Sequence, residues 1–374
     1  MYLDNSATTK PCDKAIENIN NVLLNNWGNP SSLHTLGMYA ENEMNDSRKV
    51  IASLIGAVPQ EIFFTSGATE ANNISILCSA KKLKKQGKRI VTSAIEHHSV
   101  LDTVKSLEAE GFEVVYIKPD SDGNISEEAL SRAITPDTVL VSLMLVNNEV
   151  GSVLPVSKAK AIMKNVCPRA ILHCDAVQAV GKMPINVNSL GVDLLTASAH
   201  KLHGPKGIGF LYKNKNLHLP PLTFGGGQEK DMRPGTESVP LISGFKGAVQ
   251  SIGNINANLE YLNQLHAFAV EKLSELEFVS INSPENCCPY ILNISVNGFR
   301  SETLLHFLES KNIFVSSGSA CAKGKGSYVL AAMGKSADII DSALRISFCK
   351  HNKEEDILLL CDALKEAVGR LKKR

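Results

Sequence analysis

From residue 62 to residue 175, short apolar runs alternate with longer segments whose apolar positions recur at helical spacing. The pattern predicts strands at 62–65, 89–92, 113–118, 139–146 and 170–175. Helices are expected between them at 70–85, 100–110 and 155–165. The run 139–146 is interrupted only by Ser142, as in a strand buried on both faces. This alternation predicts βαβ units, a mainly parallel central sheet, and a site at the carboxyl ends of the strands. Ahead of this block, residues 2–10 are polar after Leu3 and read as an arm. Helices follow at 11–24, opened by Pro11, and at 37–55, stopped by Gly56, with a turn-rich loop at 27–32. Near Pro240 the pattern changes. A helical stretch with few breakers covers 241–276, followed by strands at 290–296, 313–316 and 343–348 and helices at 302–309 and 354–371. The last helix sets Ile357, Leu360, Cys361, Leu364, Val368 and Leu371 on one face. The expected fold is α/β, with a large domain at 14–254 and a smaller α/β domain built from 1–13 and 255–374.

Composition and charge narrow the class. The 374 residues are 44% hydrophobic and 21% charged, ordinary for a globular protein. A net charge of +1 gives no basis for a nucleic-acid or membrane surface. The basic cluster from Lys81 to Arg89 has no aromatic residue interleaved and reads as a solvated helix end. No apolar run approaches the roughly 20 residues of a membrane span, and the first residues carry no secretory pattern. Nine cysteines, an odd number with no C-x-x-C pair, argue against a disulfide framework or a zinc ribbon and for a reducing cytoplasm. Cys78 and Cys361 are expected as small buried hydrophobes.

Candidate chemistry centres on residues 193–209, D-L-L-T-A-S-A-H-K-L-H-G-P-K-G-I-G. Apolar and small residues lead into His200 and Lys201, then a turn of Gly204, Pro205 and Gly207. A lysine held where a buried strand meets such a turn loses proton affinity and becomes a usable amine nucleophile, suited to a Schiff base. Residues 62–70, I-F-F-T-S-G-A-T-E, break a strand at Gly67 and open a helix, which points N–H groups and the Ser66 and Thr69 hydroxyls at an anion such as phosphate; helix capping is the plainer reading. In 172–178, L-H-C-D-A-V-Q, Asp175 follows a buried strand and needs a partner, either a cation in the site or a helix N-terminus. His97 can stack on a planar ring or cap a helix, and His98 reads as a surface or helix-start residue. Asn147, Asn148 and Glu149 end the central apolar strand, where an amide can meet a cofactor oxygen. A phosphate cradle, a buried carboxylate and a buried lysine at three strand ends are what pyridoxal 5'-phosphate requires.

These segments, in this order, resemble the cysteine desulfurases of the NifS/IscS type, in the class V branch of the fold-type I, aminotransferase-like enzymes. The resemblance spans essentially the whole chain. It is carried by Y-L-D-N-S-A-T-T at 2–9, G-N-P-S-S at 28–32, T-S-G-A-T-E at 65–70, E-H at 96–97 and N-N-E at 147–149. It continues through H-C-D-A-V-Q at 173–178, S-A-H-K at 198–201, R-P-G-T at 233–236 and S-S-G-S-A-C at 316–321. It implies that Lys201 carries pyridoxal phosphate, Asp175 meets its ring nitrogen, and His97 stacks on the ring and moves protons. Asn148 and Gln178 would flank the phenolic oxygen. Ala68, Thr69, Ser198 and His200 would hold the phosphate, with Thr236 reaching in from the other subunit of a homodimer. Arg345 would bind the substrate carboxylate, with Asn148 beside it, and Cys321 would accept the sulfur.

Cys321 also stands out on its own surroundings. Ser316–Ala320 and Ala322–Gly326 are small or flexible residues, and Lys323 and Lys325 favour a thiolate. The reaction implied is removal of sulfur from L-cysteine: the freed Lys201 amine takes the Cα proton, Cys321 takes the sulfur as a persulfide, and L-alanine leaves. Selenocysteine lyase and class V aminotransferase are the alternatives within the enzymes; loss of Lys201, Asp175 or Cys321 would mark a non-enzymatic binding protein. Ser238 stands where many such relatives have Asn, and the loop after Cys321 is slightly short. The chain stops soon after its last helix, without the tail that helps dock an iron–sulfur scaffold in those relatives. The expected sulfur acceptor is therefore an iron–sulfur scaffold or a tRNA thiolation enzyme.

Overall fold

The computed structural model describes residues 1–318 and 326–373. Seven strands form the central sheet: β1 (Ile62–Thr65), β2 (Arg89–Ser93), β3 (Glu113–Ile117), β4 (Thr138–Met144), β5 (Ile171–Asp175), β6 (Leu194–Ser198) and β7 (Gly209–Lys213). Their order is β1-β7-β6-β5-β4-β2-β3, and only β7 runs against its neighbours. The carboxyl ends of the other six therefore share one edge. Alternate residues enter different clusters: Phe63, Leu140, Leu194 and Leu211 on one face, and Phe64, Val141, Leu195 and Phe210 on the other. Cys78 and Cys361 are buried, as expected.

The hairpin of β6 and β7 closes the lysine turn. Ser198 pairs with Gly209, and Ala199 N–H donates to Ile208 O at 3.1 Å. A Cβ on Gly209 would lie 2.6 Å from Ala197 O and 2.9 Å from Gly67, so only a glycine lets the ends of β1, β6 and β7 meet. The pattern did not reveal β7, because an apolar run beside a Gly-rich turn reads as part of the turn.

Three further strands, β8 (Val279–Ile281), β9 (Ile291–Val296) and β10 (Ala343–Ser347), form an antiparallel sheet in the order β10-β9-β8. The N-terminal arm lies beside it. Leu3 N–H donates to Phe314 O at 2.9 Å, and Leu3 O accepts from Ser347 N–H at 2.7 Å. The arm thus takes up the hydrogen bonds of 313–316, which makes only isolated bridges instead of the expected strand. The expected long helix at 241–276 is two, Val239–Gln250 and Ile255–Ser274. Gly253 turns the chain at φ +78°, and Asn254 caps the second helix through Ala257 N–H. Helix Glu127–Ala133, capped by Ser126, and strand β8 are too short to show a period. Helices Ala68–Leu83 and His98–Glu108 start two residues earlier than expected, since Gly67 and His97 are themselves the caps. No helix among the described residues is long and apolar enough to cross a membrane.

The free edge of β1 is covered by a turn held in an unfavourable shape. Glu229, Lys230 and Asp231 all have left-handed backbones, at φ 48°, 55° and 64°. Glu229 holds the turn down, meeting Arg48 Nη2 at 2.6 Å and Nη1 at 2.9 Å and accepting from Phe64 N–H at 3.0 Å. Removing one partner of a buried pair strands the other charge. Glu229→Ala is expected to cost about 3 kcal/mol, read as a lowered thermal midpoint; an unchanged midpoint would contradict this role.

Candidate active site

A cavity of about 500 Å³ opens at the carboxyl edge of the central sheet. Among the described residues, every one expected at the site lines it except Thr236. Ala68 and Thr69 open the long helix after β1, with Ser66 and Gly67 beside them. Ser198 ends β6 and His200 follows it. Backbone N–H groups at a helix start, together with hydroxyls, suit an anionic group there. The Ser66 N–H is already taken by the Glu70 carboxylate, which also meets Arg233 at 3.0 Å. Burial and neighbouring Lys201 lower His200 to about 4, so it stands neutral.

Lys201 ends a short 3₁₀ turn, Ala199–Lys201. Its Nζ donates to Ser6 O at 2.6 Å and Ala7 O at 2.7 Å, so the N-terminal arm forms part of the site. Thr9 fastens the arm to the turn, bonding His200 O through its N–H at 2.9 Å and its hydroxyl at 3.0 Å. Burial lowers the Lys201 pKa to about 7; nearby Lys182 and Arg345 add to the effect, while Asp4 and Asp175 oppose it. The amine is therefore available as a nucleophile or base near neutral pH.

Asp175 is 5% exposed at the end of β5. Its Oδ1 accepts from Val177 N–H at 3.1 Å, closing a turn rather than capping a helix, and its Oδ2 accepts from Asn72 Nδ2 at 2.8 Å. Asn72 connects two expected site residues. Its second N–H goes to Ser99 Oγ at 2.8 Å, and its carbonyl accepts from Thr196 Oγ1 at 2.5 Å. Ser99 Oγ lies 2.8 Å from His97 Nδ1, which also accepts from Ser99 N–H at 3.1 Å. Nδ1 is thus the acceptor, and the neutral ring carries its proton on Nε2. Burial holds His97 below the usual imidazole range, with Asp175 pulling the other way. His97 caps its helix and also lines the cavity, so the two sequence readings of this residue coexist. His98 is the first residue of that helix.

Arg345, on β10, is 2% exposed. Its Nη2 meets Asp4 Oδ1 at 2.7 Å, and its Nη1 donates to Asn148 O at 3.1 Å. Asn147 is turned into the scaffold, donating to Ile95 O at 2.9 Å, while Asn148 lines the cavity. Arg345 Nε and Asn148 Oδ1 are buried and have no hydrogen-bond partner among the described residues. Two such orphan groups beside a helix N-terminus, a buried carboxylate and a low-pKa lysine fit pyridoxal phosphate and a carboxylate substrate. Thr236 is exposed and stays off the chain's own cavity. Cys321 lies outside the described residues. The chain leading to it is tied to Arg345 by paired backbone bonds at Ser316, of 3.1 and 2.6 Å.

The sequence reading missed Asn72, Ser99, Lys182 and the contacts of Asp4, Ser6 and Ala7. Asn72 lies one helical turn beyond Ala68, and Lys182 four residues beyond Gln178, spacings that can signal a shared face. The arm contacts join residues 142 to 341 positions apart and leave no local pattern. In the cofactor-free protein, Lys201 labelling by an amine-reactive probe should rise through about pH 7, because the neutral amine dominates above it. An unperturbed lysine rises near about 10.4, and a midpoint there for Lys201 would contradict the assignment.

The family model for aminotransferase class-V matches residues 1–360. The chain is 41% identical over 381 residues to cysteine desulfurase IscS of Proteus mirabilis (strain HI4320), covering all of this chain and 93% of that one. Among solved structures it is similar to a NifS-like protein, with a TM-score of 0.93 and 37% identity, covering 99% of this chain and 100% of that one. It is also similar to SspA in complex with cysteine, with a TM-score of 0.83 and 34% identity, over 94% and 99% of the two chains. The chain belongs to the aminotransferase class-V family, among the cysteine desulfurases of the NifS/IscS type.

Proposed function

We propose that the protein takes sulfur from L-cysteine, releases L-alanine and carries the sulfur as a persulfide on Cys321, with pyridoxal 5'-phosphate held by Lys201. The observation that supports this most is the meeting of a lysine of pKa about 7, buried Asp175 and buried Arg345 around one cavity. When bound, the cofactor supplies an electron sink for the pair left at Cα. Asp175 holds its ring nitrogen protonated, His97 covers the ring, and Asn148 and Gln178 meet its phenolic oxygen. Ala68, Thr69, Ser198 and His200 take its phosphate. Arg345 binds the substrate carboxylate, its Nε being the donor left free by Asp4 and Asn148. Lys201, once free, removes the Cα proton. The Cys321 thiolate then attacks the substrate sulfur: an S–S bond forms, the C–S bond breaks with its electrons going to carbon, and protonation of that carbon yields alanine. A solved relative, SspA, holds cysteine, which agrees with this substrate.

A homodimer in a reducing cytosol completes the reading. Thr236 is exposed, as it must be to serve a second subunit's site. Leu23, Leu24, Trp27, Leu33 and Met38, all exposed near the first two helices, suit a covered surface. The two sheets support a large domain at 14–254 and a small one at 1–13 with 255–374. The persulfide passes to an acceptor protein, an iron–sulfur scaffold or a tRNA thiolation enzyme. Selenocysteine lyase and transaminase readings are less well supported, given the desulfurase relatives and Cys321 in its S-S-G-S-A-C setting.

The test is sulfide and alanine release from L-cysteine with a reductant, in wild type and Cys321→Ala. Equal amounts of both from wild type, lost in the variant while its yellow colour persists, are expected. Undiminished release by the variant would overturn the role of Cys321 and point to direct lyase chemistry.

A further inference from the structure

Lys182 is a buried cation outside the cofactor cavity. It is 5% exposed, and its ammonium lies 5.7 Å from the centre of the Tyr290 ring. It lines a second cavity of about 740 Å³, and Lys201 lines both this cavity and the first. The Lys182 Nζ donates to Gln178 Oε1 at 2.8 Å. An ammonium only donates, so the atom it meets is the amide oxygen, and the orientation of this side chain is fixed. Gln178 is 4% exposed, and its Nε2 faces the other way, donating to Ser6 O at 3.0 Å. The same carbonyl accepts from Lys201 Nζ at 2.6 Å. An amide nitrogen carries two hydrogens; with one on Ser6, the second is left for a group in the cavity that Gln178 lines.

We propose that Lys182 is a positioning residue for the cofactor: it clamps the carbonyl of Gln178 so that the amide N–H₂ is offered to the phenolic oxygen of pyridoxal phosphate. The inference rests on the reading of Gln178 given above. Without the clamp, Gln178 Oε1 is buried with no donor, and the amide can turn its oxygen towards an oxygen of the cofactor. Lys182 remains a donor near neutral pH: burial lowers it to about 8 and Arg345 acts in the same direction, while Cys288 and Cys349 oppose them. The spacing Gln178–Lys182 in Q-A-V-G-K puts clamp and clamped residue within one short turn.

The experiment is a double-mutant cycle on the affinity of the cofactor-free protein for pyridoxal 5'-phosphate, followed by absorbance. Lys182→Met keeps an unbranched stem against Tyr290 and removes donor and charge; Lys182→Leu runs in parallel, and circular dichroism checks that each folds. Each of Lys182→Met and Gln178→Leu should weaken binding by roughly three- to tenfold, and the double variant should bind no more weakly than Gln178→Leu alone. A Lys182 variant that binds as wild type, or whose effect multiplies fully with that of Gln178→Leu, would overturn the clamp while leaving the Gln178 reading intact. Unchanged binding by Gln178→Leu would overturn that reading and the clamp together.

Discussion

The constraint on which the site depends is the withdrawal of one lysine amine from water. In bulk solvent Lys201 would be a cation and no nucleophile. The fold places it at the end of a buried strand, beside two other cations, and meets its hydrogens with the carbonyls of Ser6 and Ala7. Those carbonyls belong to a segment that β6 cannot reach by itself. The antiparallel return of β7 and the bonds from Thr9 bring the turn and the arm together. The N-terminal arm is therefore part of the candidate site: Asp4 holds Arg345, Ser6 meets Gln178 and Asn148, and Ser6 with Ala7 receives Lys201.

The second level of organisation is the set of polar side chains that orient the groups lining the cavity. Asn72 spends every hydrogen-bonding atom of its amide within the scaffold, and two of those bonds lead to Asp175 and, through Ser99, to His97. A buried polar network of this kind is stable only when each member is satisfied, and it then admits one arrangement. Asn148 Oδ1 and Arg345 Nε are the counterpoint: they are buried with no hydrogen-bond partner among the described residues, which suits groups open to a ligand.

Much of this was legible in the sequence because each βα connection carries its chemistry locally. T-S-G-A-T-E, L-H-C-D-A-V-Q and S-A-H-K each announce a strand end, and parallel pairing gathers such ends on one edge without further information. What was not legible depends on contacts between distant segments. The arm has no periodicity, since its order comes from β10 and the lysine turn. The strand expected at 313–316 failed for the same reason, its partners being the arm and Arg345. The break in 241–276 was readable after all: Gly253 followed by Asn254 is a stop and a cap in succession, outweighed by the apolar pattern on either side. Lys182 was hidden by its residue type, since lysines are rarely buried, and only its partner Gln178 explains its place.

Two lysines with lowered pKa values, Lys201 and Lys182, stand close enough to the site for the central claim to be put to a direct choice. The measurement is peptide mass spectrometry of the yellow protein after borohydride reduction, which fixes the cofactor to the amine that holds it. One phosphopyridoxyl group per chain on the peptide containing Lys201 is the expected result. The label on Lys182, or its absence from both, would contradict the account.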